Sequence, residues 1–414
     1  MSDFIKYANS FQTVINPGLG RISALLDMSG NPQDRCRCIH VGGTNGKGSV
    51  CAFLEAILMA AGFRVSKYTS PNLIRVNERI TLNGVPISDD ELNPLLERVG
   101  ERCGQVQERI GETPTQFEVW TAAAFEYFAA VNCDYVLLEV GMGGEYDATN
   151  VIKSNAAAIL TRIDLDHCAY LGNTVEEIAA TKCGIMKESS ITITVKQDPA
   201  VNQVIETCAA DKHNRLVTAE ALVSVGFEGI HEIFEYKGRR VRCGLGGPHQ
   251  LENAAIAAMA AEVLGIDADS ICRGIETARH PARLEQLAPG LIFDGAHNPN
   301  GVAALVAALD RYFPHEEMTV IFACMKDKDI APSLKMLAAP NRDFIFTQVE
   351  GNPRTMSPEE LKEIAASAGI AGVTAPNLTE AARLAAESGR LTIACGSLYL
   401  YETADNAEKE FLKE

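Results

Sequence analysis

The run His40-Val-Gly-Gly-Thr-Asn-Gly-Lys-Gly-Ser-Val50 constrains this chain more than any other stretch, because of what stands on either side of it. Cys36 to Val41 reads as a short apolar strand, and Val50 to Ala61 places apolar residues at helical spacing. Strand, glycine-rich turn and helix together form the layout that cradles a nucleoside triphosphate. Gly43, Gly46 and Gly48 let the backbone bend and bring its N–H groups to phosphate oxygens, with Thr44 and Asn45 in the same turn. The helix N-terminus adds partial positive charge. Lys47 is placed to neutralise the outer phosphates, and Ser49 offers a hydroxyl to Mg²⁺. The spacing departs from the common Walker A pattern, since a glycine separates the lysine from the serine. Glycine-rich turns also arise for plain steric reasons, but lysine and serine directly after a strand favour the phosphate reading.

At 414 residues the chain is too long for one ordinary domain, and two is the natural expectation. A hydrophobic content of 47% with 22% charged residues supplies material for two cores. The 37 basic against 54 acidic residues leave a net charge of −17, which argues against nucleic acid or an anionic membrane as partner. An anionic substrate must then be held by local groups. Twelve cysteines without paired zinc spacing read as reduced thiols, and Met1 to Ser10 lacks a basic-then-apolar signal pattern. The longest apolar run, around Ala254 to Leu264, is broken by Glu262 and falls short of the roughly 18 residues a membrane helix needs. These features predict a cytoplasmic enzyme acting on small molecules; a monomer is expected, though nothing in these features decides it.

The first two-thirds alternate strand-like and helix-like segments, which predicts an α/β fold with a largely parallel sheet. Strands are expected at Cys36–Val41, Arg64–Tyr68, Tyr135–Val140, Ala156–Ile163 and Ile191–Val195. Helices are expected at Val50–Ala61, Asp89–Arg109, Glu118–Ala130, Thr174–Lys187 and Gln250–Leu264. Between Ala221 and Cys243 the pattern alternates, with Lys237-Gly238 as a hairpin turn in a small antiparallel patch. Proline and glycine breakers from Pro281 to Pro289 precede a new strand, Leu291–Phe293, and put the domain boundary there. The expected division is a P-loop ATP-binding domain over residues 1–284 and a smaller, Rossmann-like α/β domain over 285–414. In the latter, strands fall near Thr319–Ala323, Asp343–Thr347 and Leu391–Ala394.

Chemistry gathers where strands end. Tyr135-Val-Leu-Leu-Glu139 is an apolar strand closed by one acid and a glycine turn, so Glu139 lies where open α/β sheets bind ligands. It is either a Mg²⁺ ligand or the cap of a neighbouring helix. Asp147, in Asp147-Ala-Thr-Asn150, belongs to a polar turn lining the same cleft. His167 ends the next strand, as a metal or substrate group or as a structural histidine. Lys182 sits on a helix, where a lysine is usually solvated. Asn253 opens an alanine-rich helix, either to match an adenine edge or to permit close packing. Arg283 precedes the boundary and can reach a phosphate, while Asp294 and His297 follow it.

Taken in order, these segments resemble the folylpolyglutamate synthase/dihydrofolate synthase family, a branch of the ATP-dependent Mur-type amide ligases. Gly43–Ser49 resembles its GTNGKGS loop, Thr69-Ser-Pro-Asn-Leu73 its TSP-x-L segment, and Glu78–Ile80 its ERI segment. Pro114–Glu118 is similar to its T-x-F-E pattern, and Glu139–Asn150 to its E-V-G-x-G-G-x-x-D-A-T-N run. Asp166-His167 with Leu171-Gly172 matches D-H-x-x-x-L-G. HQ-x-x-NA, RLE, DGAHNP, DKD and GSLYL follow at His249, Arg283, Asp294, Asp327 and Gly396. The resemblance spans roughly Gly43 to Leu400.

It implies ATP, Mg²⁺ (one ion or two) and a carbamylated lysine at Lys182. Ser49, Glu139, His167 and Lys182 become metal contacts, and Lys47, Lys182 and His167 the groups of catalysis. Asn253, Arg283, Asp294 and His297 join the loop as ATP contacts. Thr115, Phe117, Arg79 and Asp147 become substrate contacts, the acceptor being folate or dihydropteroate and the added amino acid L-glutamate. Two positions depart from the family: Glu145 stands where it usually has Arg, and Asn72 where it commonly has His. Arg75 or Arg79 is then expected to supply the missing cation. The alternatives left open are a related ligase with another acceptor or amino acid, and a nucleotide-binding protein without catalysis. Intact Lys47, Ser49, Glu139, Asp294 and His297 count against the last.

Overall fold

A computed structural model describes residues 16–412 except Asp327 and Asp329. The N-terminal reading at Met1–Ser10 and the two acids of the DKD segment lie outside the described residues. The chain forms two compact units. The first comprises residues 16–222, 236–241 and 252–278; the second comprises 223–235, 242–251 and 279 onward.

The first unit contributes α1 (Gly20–Asp27), β1 (Cys38–Gly42), α2 (Lys47–Ala60), β2 (Val65–Tyr68), β3 (Ile80–Leu82), β4 (Val85–Pro86), α3 (Asp89–Ile110), α4 (Gln116–Val131) and β5 (Tyr135–Glu139). Next come β6 (Ala157–Leu160), α5 (Val175–Cys183), β7 (Ile191–Val195), α6 (Pro199–Asp211) and β8 (Arg215–Ala219). The eight strands lie in the order β4-β3-β2-β5-β1-β6-β7-β8. From β2 to β8 they are parallel, and β3 and β4 add an antiparallel edge. Every residue of β1 and β5 is buried, as expected of central strands covered on both faces. Leu25 and Leu26 of α1, Leu92, Leu96 and Val99 of α3, and Trp120, Phe125 and Phe128 of α4 pack with Val136 and Leu138 in one core. Ile178 and Ala179 of α5 and Val201 and Ile205 of α6 pack with Ala158 and Leu160 in another.

The predicted strands and helices recur with ends shifted by a few residues, and Ile191–Val195 coincides. The helix expected over Thr174–Lys187 stops at Cys183, where the Gly184 N–H turns back to the Thr181 carbonyl at 3.2 Å. A shared segment follows: β9 (Ser224–Glu228), β10 (His231–Tyr236) and β11 (Arg239–Arg242) form a three-stranded sheet, β11-β10-β9. Its Lys237-Gly238 turn has both φ angles positive, 49° and 78°, the geometry a two-residue hairpin needs. Helices α7 (Gln250–Val263) and α8 (Ala268–Thr277) come next.

The second unit is built on a six-stranded sheet in the order β12-β13-β17-β14-β15-β16. Its strands are β12 (Glu285–Ala288), β13 (Leu291–Phe293), β14 (Met318–Phe322), β15 (Arg342–Phe346), β16 (Gly372–Thr374) and β17 (Leu391–Cys395). All pairs are parallel except β12 with β13. β12 lies inside the proline- and glycine-marked stretch that reads as breakers in the sequence. Pro289-Gly290 there is the turn of a hairpin, Gly290 having φ of 83°. No helix among the described residues is long and apolar enough to cross a membrane.

Candidate active site

β1 lies between β5 and β6, with Val41 level with Glu139 and Gly42 level with Leu160. The loop after β1, the acid of β5 and the residues after β6 therefore emerge together at the carboxyl end of the sheet, where open α/β sheets bind ligands. The loop is fixed from the β6 side. The Thr161 hydroxyl donates to the Asn45 carbonyl at 2.7 Å, and the Thr44 N–H donates to the Arg162 carbonyl at 2.9 Å. The Thr44 hydroxyl and the Asp164 backbone bond each other reciprocally at 3.0 Å. Gly46 has φ of 90°, and a Cβ there would stand 2.3 Å from Asn253 Oδ1 on α7. Only glycine fits that position, and Asn253 is thereby placed against the loop. α2 begins at Lys47, with Gly48 and Ser49 in its first turn and Ser49 only 3% exposed.

Two lysines converge on one carbonyl. Lys47 Nζ donates to Gly43 O at 3.1 Å and to Thr44 O at 3.0 Å, while Lys182 Nζ donates to the same Gly43 O at 2.8 Å. Lys182, on the last turn of α5, is buried instead of solvated. Burial first, and the neighbouring Lys47 charge second, push its amine down to about 7 from the usual 10.5; Asp166 and Asp147 oppose this. Around the lysines lies a small open cleft, lined by Gly43, Thr44 and Lys47, by the Val140–Gly143 turn, and by Asp166 and His167. His167 enters it from an exposed turn at φ 50°, its Nε2 3.8 Å from Asp166 Oδ2. A cleft faced by the Lys47 ammonium, the Lys182 amine and loop backbone suits an anion.

Glu139, 7% exposed, accepts the Ser70 N–H at 3.1 Å. Beside it, Phe117 packs on the glycine turn so closely that a Cβ at Gly141 would stand 2.6 Å from Phe117 Cζ. Its ring lies 5.9 Å from that of Tyr68. Arg79 stands over the Trp120 ring at 5.9 Å and donates from Nε to Asn72 Oδ1 at 2.9 Å, whereas Arg75 pairs with exposed Asp89. Thr115 and Asp147, expected to contact substrate, also make local bonds. Thr115 caps α4, its hydroxyl accepting the Glu118 N–H at 3.3 Å. The buried Asp147 carboxylate accepts the Met142 N–H at 2.9 Å and the Thr149 N–H at 3.0 Å, holding the turn after β5. Glu145 is exposed on that turn.

In the second unit, Asp294 ends β13 buried, its two oxygens accepting the N–H groups of Leu284 and Ala296, each at 2.8 Å. Burial raises its carboxyl, against the pull of Arg283. Arg283 lies between Ala282 and Leu284, whose φ angles are 59° and 42°. Left-handed backbone at two non-glycine residues is strained, and it persists because Asp294 grips Leu284 while Glu285 accepts the Ala282 N–H at 2.7 Å. His297 Nδ1 meets the Gly295 carbonyl at 2.8 Å.

A magnesium ion takes oxygen ligands, typically one or two carboxylates together with substrate phosphates and water. Buried Glu139 and the Ser49 hydroxyl at the loop fit that demand. No cluster of three His, Cys, Asp or Glu side chains suited to an all-protein metal cage occurs among the described residues. Asp166, the acid of the D-H pair, also lines the cleft, a role not expected from the sequence. Thr161, which braces the loop, carries no signal in sequence.

The Mur ligase middle domain matches residues 41–261, and the Mur ligase glutamate ligase domain matches residues 282–398. The dihydrofolate synthase/folylpolyglutamate synthase of Bacillus subtilis (strain 168) is 38% identical over 341 residues, covering 78% of this chain and 79% of that protein. The folylpolyglutamate synthase of Lacticaseibacillus casei is 34% identical, covering 86% and 87%. Among solved structures, Mycobacterium tuberculosis folylpolyglutamate synthase complexed with ADP and AMPPCP superposes with a TM-score of 0.88 at 29% identity, covering 96% of each chain. E. coli FolC in complex with DHPP and ADP gives 0.86 at 27% identity, covering 99% and 98%.

Proposed function

The chain belongs to the Mur ligase family, in its folylpolyglutamate synthase/dihydrofolate synthase branch, and from that premise we propose that it joins L-glutamate to a folate or dihydropteroate acceptor at the expense of ATP. It is an ATP-dependent acid–amino-acid ligase. The observation that carries this reading is the convergence of Lys47 and Lys182 on the Gly43 carbonyl beside a phosphate-type loop.

A carboxylate acylates an amine poorly, so the acceptor carboxylate first takes the γ-phosphoryl group of ATP, giving an acyl phosphate and ADP. The glutamate α-amine then attacks the acyl carbon, forming the amide and releasing phosphate. Lys47 and the loop N–H groups hold the phosphates and stabilise the charge that builds as the phosphoryl group moves. Ser49, Glu139 and His167 would hold Mg²⁺, which supplies charge neutralisation at the phosphates when bound. With its amine near 7, Lys182 has a large neutral fraction at physiological pH, and a neutral amine is the form that adds carbon dioxide. A carbamate there would present two oxygens to a second ion. Asn253, against the loop, serves the adenine, and Arg283, Asp294 and His297 serve the nucleotide from the 285–414 glutamate-ligase part and its approach. Residues 1–284 form the ATP-binding part. Phe117 and Arg79 serve the acceptor, as does the turn Asp147 holds.

On this reading the protein acts as a cytoplasmic monomer. A second reading, a ligase of the same chemistry with a different acceptor, draws on Glu145 and on Asn72, which is engaged by Arg79. The test offers dihydropteroate and tetrahydrofolate separately with glutamate and Mg-ATP and follows ADP and product. Glutamylated pterin product from either is expected. ATP-dependent ligation to another carboxylate alone would replace the first reading by the second.

A further inference from the structure

Arg21, on α1, is 4% exposed although its side chain ends in a cation. Its guanidinium holds two acids far along the chain: Nε lies 3.1 Å from Glu118 Oε2, and Nη1 lies 2.6 Å from Glu112 Oε2. Nη2 donates to the Asn16 carbonyl. Glu118 is itself 3% exposed, and the oxygen that meets Arg21 also accepts the Thr115 N–H at 2.6 Å. One carboxylate thus ties α1 to the first turn of α4. Between Thr115 and Glu118 the chain carries Phe117, whose carbonyl accepts the Thr121 hydroxyl at 2.8 Å and whose ring rests on Gly141 at the cavity wall.

We propose that Arg21 is a positioning residue for the acceptor, setting the Phe117 ring against the turn after β5 by clamping Glu112 and Glu118 together. The inference rests on the reading that the acceptor carries a planar pterin, which a fixed aromatic ring recognises by stacking. A guanidinium suits the task because its planar fork reaches two carboxylates at once, whereas a lysine offers a single point charge. The pair is buried, so losing the cation leaves Glu118 charged in apolar surroundings and frees the turn that bears Phe117. The nucleotide loop hangs from β1, β6 and α7 through other contacts, so ATP binding is insulated from the change.

The test is steady-state kinetics on the full chain, with acceptor, ATP and glutamate varied separately. Arg21→Lys should raise the acceptor KM roughly tenfold, with the ATP KM and kcat changed less than about twofold. Arg21→Met should do more, and Arg21→Met with Glu118→Gln should do no worse than Arg21→Met alone, because the stranded charge is gone. Trp120, the sole tryptophan, lies one turn beyond Phe117 in the core and reports by its emission whether α4 stays packed. An unchanged acceptor KM overturns the proposal. So do acceptor and ATP KM values rising in parallel with a red-shifted Trp120, which would mark a purely structural residue. A wild-type enzyme that turns over no pterin acceptor overturns the reading beneath it, and is told apart by failing before any substitution is made.

Discussion

The loop after β1 and the loop after β13 both leave a buried parallel strand for a turn rich in small residues, yet they handle charge in opposite ways. At the loop after β1, amines face a cleft: Lys47, and Lys182 from α5, reach one carbonyl, and among the described residues no acid is hydrogen-bonded to either. After β13, the charged side chain is enclosed: Asp294 accepts backbone N–H groups on both oxygens. A cation offered to a cavity is held by weak carbonyl partners that a phosphate can outbid. An acid bonded to two N–H groups also holds the fold, so its removal should lower stability as well as activity.

Substitutions at the two loops should therefore separate turnover from folding. Lys47→Ala is expected to have the largest effect, a loss of about 3 kcal/mol in transition-state stabilisation, or roughly a hundredfold or more in kcat. Its melting temperature should match wild type, as a calorimetric scan would check. Near-normal turnover would remove Lys47 from the phosphate.

Lys182→Ala should also lose activity, with partial recovery when a short carboxylate such as acetate is added. In the wild type, ¹³C-bicarbonate should give a carbamate signal by NMR. Because the amine is pushed down to about 7, the signal should fade as pH drops through that value and the nitrogen becomes ammonium. The linkage to stability runs the same way: a lowered lysine pKa means the unfolded chain binds the extra proton between about 7 and 10.5, so this group's contribution improves as pH rises across that window. A silent spectrum at pH 8 would return Lys182 to the role of a simple cation.

At the second loop, Asp294→Ala strands two N–H groups and should cost about 1–3 kcal/mol for each left unsatisfied, lowering the melting temperature. Arg283→Ala should leave that temperature in place and raise the ATP KM. Equal effects of the two on stability would erase the contrast between presented and enclosed charge.

The smallest effects are expected at Glu145 and Arg79. Glu145→Arg should keep activity or tighten the acceptor KM a few-fold, and Arg79→Ala should weaken it by a similar factor, since a single screened charge is worth about 1 kcal/mol or less. An acceptor KM unchanged or tightened in Arg79→Ala would exclude Arg79 as the substitute cation.

Much of this was legible before the fold was known because it is local. A strand, a glycine turn, a lysine and a helix start follow from residues within a dozen positions of one another, and so do the hairpin at Lys237-Gly238 and the acid at the end of β5. Tertiary structure decided everything that depends on distant partners. The burial of Lys182 comes from α5 packing under a loop more than a hundred residues earlier, which no helical pattern around it discloses. Thr115 and Asp147 also hold backbone N–H groups, a duty that a polar side chain beside a motif does not disclose in sequence. Arg21 gave no signal, because a buried ion pair is a property of two separated segments brought together by the core. Sequence names the groups able to do chemistry; the packing of the sheet and its helices decides which are left free to do it.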